Sequence, residues 1–239
     1  MNLRRFLGKC RRALDIVLLN AHASYSQVGE DRVVNYLFET LGLTDTTYLD
    51  IGTNYPVVGN NTYLFYDRGC RGVCIEPDPE MFKRIQKKRP GDKVINAGIG
   101  VMNAAGAPFY LFPGNLVGWS TFSEQEAILR EKESGLKPEI ISIPLMNIND
   151  IIAANFDPYP NFISLDVEGM DLDILKSMDF GRFRPEAICV ETISFSITNA
   201  ERKLNDTIEF MHGKGYLTYA DTHVNTIFCK KELFEKSEK

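Results

Sequence analysis

The sequence predicts an α/β protein built on one mostly parallel sheet of about seven strands, with helices on both faces. Three observations predict it. Short apolar runs alternate with helix-patterned segments across residues 48–96. The alternation returns from residue 162 onward. Two closely spaced β-rich runs, 216–220 and 226–230, then close the chain. A chain of 239 residues, 44% hydrophobic and 25% charged, is long enough for one large α/β core. That balance excludes disorder, collagen and coiled coil for the chain as a whole, and no apolar run reaches the length of a membrane-spanning helix.

The elements follow in order. Residues 1–23 read as a basic N-terminal helical appendage and 24–239 as the domain. Arg4, Arg5, Lys9, Arg11 and Arg12 meet no acid within residues 1–12, although the whole chain carries a net charge of -5. A basic leader therefore precedes an acidic body, and acidity over most of the surface weighs against nucleic acid as a partner. Leu3, Phe6, Leu7, Cys10, Leu14 and Val17 recur at three- and four-residue steps. The leader fits a solvated helix packed on the domain or an interfacial helix on an anionic membrane. A secretory signal is the third reading, with Ala21-His22-Ala23 as its end, but Asp15 interrupts the apolar stretch.

Residues 29–41 place Val33, Val34, Leu37, Phe38 and Leu41 at helical spacing. Residues 48–51 read as a strand ending at Gly52, 61–68 as a helix closed by Gly69, and 72–76 as a strand stopped by Pro77. A helix over 79–88 and a strand over 93–96 complete a βαβαβ run. In the middle, strand-like segments 109–112 and 140–145 flank a polar stretch with Trp119, Ser120 and Thr121, and a charged helix near 124–133. A strand over 162–165 then ends at Asp166, followed by a helix over 170–178, a strand over 186–190 and a helix over 200–212. The closing pair reads as antiparallel. Five cysteines without a C-x-x-C pair (Cys10, Cys70, Cys74, Cys189 and Cys229) point to a reducing compartment rather than a disulfide framework or zinc site.

In open parallel sheets, ligands sit beyond the carboxyl ends of the strands, so those positions are the ones to inspect. Gly52 lets the backbone approach a ligand closely. Glu76 follows it by 24 residues, a spacing at which a carboxylate can accept hydrogen bonds from a ribose diol. The next glycine is Gly59, so the tight G-x-G-x-x-G turn that a pyrophosphate needs is missing, and NAD-type cofactors are disfavoured. S-adenosylmethionine has no phosphate and tolerates a looser loop. The plainer reading is a turn at Gly52 and a solvated acid at Glu76. After the fourth strand of the sheet, Asp166, Glu168 and Asp171 crowd three carboxylates into six positions. They suit a general base, a hold on the cofactor's ammonium group, a metal, or helix capping. Asp166, directly at the strand end, is the functional choice, whereas Glu168 or Asp171 also suits a cap. His223, in the loop between the last two strands, could take a hydroxyl proton; a lone loop histidine is more often a surface residue.

Four stretches then carry a family resemblance: Ser26-Gln27-Val28-Gly29-Glu30-Asp31; Tyr48-Leu49-Asp50-Ile51-Gly52-Thr53-Asn54; Asn61-Thr62-Tyr63 through Glu76-Pro77; and Ile163-Ser164-Leu165-Asp166-Val167-Glu168-Gly169. Between about Ser26 and Phe228 the chain resembles the FkbM-type S-adenosylmethionine-dependent O-methyltransferases. Thr53 stands where that family usually has alanine. The resemblance implies a class I methyltransferase (Rossmann-like) sheet with the cofactor over Asp50, Gly52, Asn54, Glu76 and Pro77. It also implies that Ser26, Gln27 and Asp31 fold over the cofactor as a lid, and that Asp166 touches cofactor or acceptor. The implied acceptor is a sugar, polysaccharide or natural-product hydroxyl.

Methyl transfer to an alcohol needs in-line alignment and a base or metal to activate the oxygen. Asp166, Glu168 and His223 are the candidate bases, in that order. No metal-ligand set is assigned, although a divalent ion would serve the same chemistry. Trp119, with Ser120 and Thr121, suits a sugar-stacking wall; the plainer reading is a Trp that packs there. Two rivals remain: a degenerate methyltransferase fold serving as a scaffold in glycan assembly, and another nucleotide-cofactor enzyme on the same sheet. A base-flipping nucleic-acid methyltransferase would carry an N/D-P-P-Y-like motif where Asp166-Val167-Glu168-Gly169 stands. The expected location is cytoplasmic, with residues 1–20 able to touch the anionic inner face of a membrane.

Overall fold

The computed structural model describes residues 24–167, 169–194 and 202–235. The basic leader with Cys10 and His22, and the candidate base Glu168, lie outside the described residues. Among those described, the elements are α1 (Glu30–Thr40), β1 (Thr47–Ile51), α2 (Tyr63–Asp67), β2 (Arg71–Ile75), α3 (Pro79–Lys88), β3 (Lys93–Ile95), β4 (Gly98–Gly100) and β5 (Ala104–Leu111). A 3-10 segment (Gly114–Trp119) leads to α4 (Glu124–Ser134), β6 (Glu139–Asn147), α5 (Ile148–Asn155), β7 (Phe162–Leu165), α6 (Asp171–Ser177) and β8 (Ala187–Glu191). The chain continues with α7 (Asn205–Gly213), β9 (Tyr216–Asp221), β10 (Asn225–Lys230) and α8 (Glu232–Glu235).

Seven strands form one sheet in the order β3-β2-β1-β7-β8-β10-β9, and only β10 runs against the others. Strand order reverses between β1 and β7: the chain builds outward from β1 to β3, then returns to the other side of β1. This is the predicted sheet, and its reversal point fixes where a ligand crevice opens. Pleating divides the core. Leu49, Ile51, Ile75, Ile163, Leu165 and Val190 pack on the face covered by α5 and α6, and Tyr48, Phe162, Ala187 and Cys189 on the face covered by α1 and α2.

Local chemistry explains the helix ends. Asp78 caps α3 by accepting from the Glu80 and Met81 amides at 2.7 and 3.3 Å, Pro79 stands in the first turn, and Lys87 and Lys88 oppose the dipole at the far end. Ser123 caps α4, which ends on left-handed Gly135.

The irregular middle is a three-stranded sheet of its own, β4-β6-β5, with α4 inserted between β5 and β6. The three residues of β4 and the helix α5 are not apparent in the sequence pattern. The helix expected over 200–212 begins only at Asn205. Lys203 instead makes an antiparallel bridge to Ile193, and the Leu204 amide donates to the Thr192 carbonyl at 2.8 Å, so backbone pairing replaces the first turn. Cys70, Cys74, Cys189 and Cys229 are free thiols.

Candidate active site

Two loops meet at the reversal point. The Asp166 amide donates to the Ile51 carbonyl at 3.1 Å, which continues the β1–β7 ladder one residue past the strands. Gly52 turns away there with φ 77°, and a Cβ on it would lie 1.8 Å from the Asp166 carbonyl oxygen. Only glycine fits, both in conformation and in space. Beyond this contact opens a cavity with about 570 Å3 of empty volume.

The polar end of the cavity is built by Gly52, Asn54, Glu76, Asp78 and Asp166, with Pro77 beside them. Glu76 is 4% exposed. Its Oε2 accepts the Asn54 amide at 2.7 Å and its Oε1 accepts the Asp78 amide at 2.8 Å. Burial pushes its carboxyl up to about 8 against the pull of those two amides, with the negative charges of Asp78 and Asp50 adding to the rise. Each oxygen keeps further acceptor capacity for a diol. Asn54 sits in the left-handed region (φ 52°), and its buried Oδ1 has no hydrogen-bond partner. The opposite end is apolar, with Ala97, Ile99, Phe109 and Phe122.

The structure thus brings Gly52, Asn54, Glu76, Pro77 and Asp166 to one cavity. It does not bring Asp50 there. Asp50 lies on the α1–α2 side of β1 and accepts from Thr62 Oγ1 (2.7 Å), Asn60 Nδ2 (3.1 Å) and Arg89 Nη1 (3.4 Å), the last from a fully buried guanidinium. Burial holds its carboxyl above the ordinary range even so. Arg89 also meets Asp92 at 2.8 Å, and Asp92 accepts from the Tyr48 hydroxyl. Asp50 is therefore part of a buried charge cluster beneath the site.

The expected lid residues do not line the cavity either. Asp31 accepts from Ser24 Oγ (2.7 Å), the Tyr25 amide (2.7 Å) and Ser26 Oγ (3.0 Å), while Ser26 Oγ accepts the Gly29 amide at 3.1 Å. These bonds pin the 24–29 loop to the start of α1. Gln27 is exposed, and Ser26, Gln27 and Asp31 are absent from the cavity lining. Neighbouring Glu30 is fully buried and ties α1 to the last hairpin through Thr222 Oγ1 (2.7 Å) and Asn225 Nδ2 (3.0 Å).

His223 is exposed in the β9–β10 turn with φ 75°, held by its amide on Asp221 Oδ1 at 2.8 Å, and it does not line the cavity. The structure places it in the turn and apart from the candidate bases at the cavity. Trp119 packs edge-on against Phe112. Asp171 opens α6 and accepts the Val167 amide at 3.2 Å, fixing the loop after Asp166. Of the second wall of the cavity, sequence reasoning singled out only Ser120. Val117, Gly118 and Ser120 come from the 3-10 segment and its end, and Ala97, Gly98 and Ile99 from around β4. A further signal is Gly98: a Cβ there would lie 2.3 Å from the Phe122 ring.

The sequence matches the Methyltransferase FkbM domain over residues 50–218. The chain belongs to this family and is an S-adenosylmethionine-dependent methyltransferase. A comparison with curated proteins finds no match. Among solved structures, a putative caffeoyl-CoA O-methyltransferase from Staphylococcus aureus is similar at 13% identity and TM-score 0.46, covering 96% of this chain and 100% of that one. A TehB-like SAM-dependent methyltransferase from Corynebacterium glutamicum gives 10% identity and TM-score 0.40, covering 96% and 100%. An RNA methyltransferase from Salinibacter ruber in complex with S-adenosyl-L-homocysteine gives 12% and 0.37, covering 83% and 89%.

The cavity fits this cofactor on its own terms. A buried carboxylate with spare acceptor capacity suits the ribose diol. An unpartnered amide oxygen suits the ammonium group, and an apolar end suits the purine. Among the described residues, no group of three or more His, Cys, Asp or Glu side chains is placed to hold a metal ion.

Proposed function

We propose that the protein transfers a methyl group to a hydroxyl oxygen of a sugar, polysaccharide or related natural product. The observation that carries this reading is Asp166, one residue past β7, lining the cofactor cavity where the sheet order reverses. The cofactor supplies a methyl group on a sulfonium centre, an intrinsically strong donor. The chain then has two tasks. Gly52, Asn54 and Glu76 would hold the donor, which would supply the methyl group, and Asp166 would accept the acceptor's hydroxyl proton. Asp171 acts at one remove by fixing the Val167 amide.

In the finer reading, the acceptor is a glycan reached in the cytoplasm, with the five cations of the leader giving a weak hold on anionic lipid. Calorimetry with S-adenosylhomocysteine tests the first half: binding is expected, and its absence would leave only a scaffold that keeps the fold. Incubation with methyl-labelled cofactor and an extract separated into glycan, lipid, protein and nucleic-acid fractions tests the second. Label confined to protein or nucleic acid would overturn the glycan reading. Asp166→Asn is expected to lower kcat with cofactor affinity retained.

A further inference from the structure

Two loops at the cofactor end of the sheet share an uncharged surface. Residues 24–29 lead into α1, and residues 55–62 run from Asn54, on the wall of the cofactor cavity, to the start of α2. Neither loop holds a charged side chain, although charged residues make up 25% of the chain. What they expose is apolar: Val58 is 77% exposed, Val28 54% and Tyr55 41%. Val28 and Val58 each stand immediately before a left-handed glycine, Gly29 (φ 106°) and Gly59 (φ 73°). A Cβ built on either glycine would meet no atom within 4 Å, so these turns project into open space and do not wall a groove.

The two turns are held to each other. The Asn60 amide donates to the Tyr25 carbonyl at 3.0 Å, and the Tyr25 and Tyr63 rings meet edge to face with centroids 4.8 Å apart. Asn60 is buried and also ties its loop inward, donating to the Thr53 carbonyl at 3.2 Å and accepting the Tyr63 amide at 2.7 Å. Apolar tips fixed in this way lose little conformational freedom on entering an apolar medium. The chain that precedes them indicates which medium. Ser24 follows directly on residues 1–23, whose first twelve positions carry five cations and no acid. The leader thus joins the domain at the loop that presents Val28. Cations beside projecting apolar side chains match an anionic bilayer: the headgroups attract the first, the acyl boundary takes the second, and tyrosine suits the level between.

We propose that Val28, Tyr55 and Val58 insert into the interface of an anionic lipid bilayer, turning the rim of the cofactor cavity at Asn54 toward the membrane. The acceptor that this orientation serves is a hydroxyl on a lipid-linked molecule held at the bilayer surface. That last step rests on the methyltransferase reading above; the docking itself does not. One other surface would give the opposite orientation. Arg84, Lys87 and Lys88 lie exposed on one face of α3, which starts beside cavity-lining Asp78 and runs away from it. Docking through those cations would turn the cavity away from the lipid.

The test sediments the full chain with vesicles of equal parts phosphatidylglycerol and phosphatidylcholine, and with vesicles of phosphatidylcholine alone. Binding to the anionic vesicles is expected to be at least about fivefold tighter than to the neutral ones. Val28→Ser, Tyr55→Ser and Val58→Ser together are expected to weaken it at least about tenfold. These side chains are exposed, so calorimetry with S-adenosylhomocysteine should find the variant's cofactor affinity unchanged. Arg84→Gln, Lys87→Gln and Lys88→Gln together should change vesicle binding by less than about twofold, since their charges lie beyond reach of the docked surface. Val58→Trp adds a second tryptophan to Trp119, and vesicles with brominated acyl chains are expected to quench its emission and not that of the wild type. Four outcomes overturn the docking: no vesicle binding, equal binding to neutral vesicles, binding that is unchanged in the serine variant or lost in the α3 variant, or vesicle binding without quenching at position 58. Vesicle docking by a chain that fails to bind S-adenosylhomocysteine would instead overturn the methyltransferase reading, and the acceptor class with it.

Discussion

Cofactor affinity is expected to follow the charge on Glu76. Its two oxygens already accept the Asn54 and Asp78 amides at 2.7 and 2.8 Å, so a ribose diol asks it to accept two further hydrogen bonds. Only the ionised carboxylate offers that many acceptor sites. Burial holds the ligand-free carboxyl at about 8. At pH 7 only about one molecule in ten is then binding-competent, and apparent affinity scales with that fraction. Affinity for S-adenosylhomocysteine is expected to rise about tenfold per pH unit below pH 8 and to level off above it. Glu76→Gln keeps the shape but turns an NH2 toward one of the two backbone amides. Losing charged hydrogen bonds worth about 1.5–3 kcal/mol corresponds to roughly ten- to hundredfold weaker binding relative to the ionised enzyme, now without pH dependence. The stability of the ligand-free protein is expected to follow the opposite slope. The carboxyl sits near 4.5 when unfolded and about 8 when folded, so its contribution to stability is complete below about 4.5 and is lost as pH rises through 8. The loss is at most about 1.4 kcal/mol per pH unit, and Glu76→Gln should abolish it. Titration calorimetry and thermal melting across this window read both slopes. A flat wild-type affinity, or a Gln variant that binds as well as ionised wild type, would refute the assignment of Glu76 to the diol.

Gly52→Ala should lose cofactor binding outright. The left-handed conformation alone costs about 1–2 kcal/mol, and the new Cβ must displace the Asp166 backbone; near-native calorimetry would refute the close approach. Asp50→Ala should lower stability by about 3–5 kcal/mol by stripping a partner from buried Arg89, measured by denaturant unfolding. In the folded fraction it should leave homocysteine-cofactor affinity within about tenfold, because the side chain faces away from the cavity. His223→Ala should leave methyl transfer unchanged at every pH, and a lost limb in the pH–rate profile would restore it as a base.

The main sheet was legible because its strands are nearly continuous apolar runs bounded by glycine, proline or an acid, as in 162–165 before Asp166. The second sheet was not. The three residues of β4 are too few to show a period, and β5 is interrupted by Gly106 and Pro108. The wall it supplies to the cofactor cavity was lost with it. The Ser26–Asp31 motif was visible, but its partners were not: Ser26 and Asp31 bond to neighbouring residues, whereas Glu30 reaches Thr222 and Asn225.

The acids at the strand ends divide by a single residue of register. Glu76 and Asp166 each stand one position past the last residue of their strands, β2 and β7, where the pleat no longer dictates direction. Asp50 stands one position before the end of β1, paired in register with Cys74 and Ser164. Alternation therefore commits it to the face opposite Ile51, and there it needs Arg89, Asn60 and Thr62 to be buried at all. The sequence marks this difference. In Asp50-Ile51-Gly52 an apolar residue separates the acid from the breaker, whereas in Ile75-Glu76-Pro77 and Leu165-Asp166 the acid itself follows the last apolar residue. Where a parallel strand ends in an acid, an apolar residue and a glycine, the acid belongs to the sheet, and the loop beyond it belongs to the ligand.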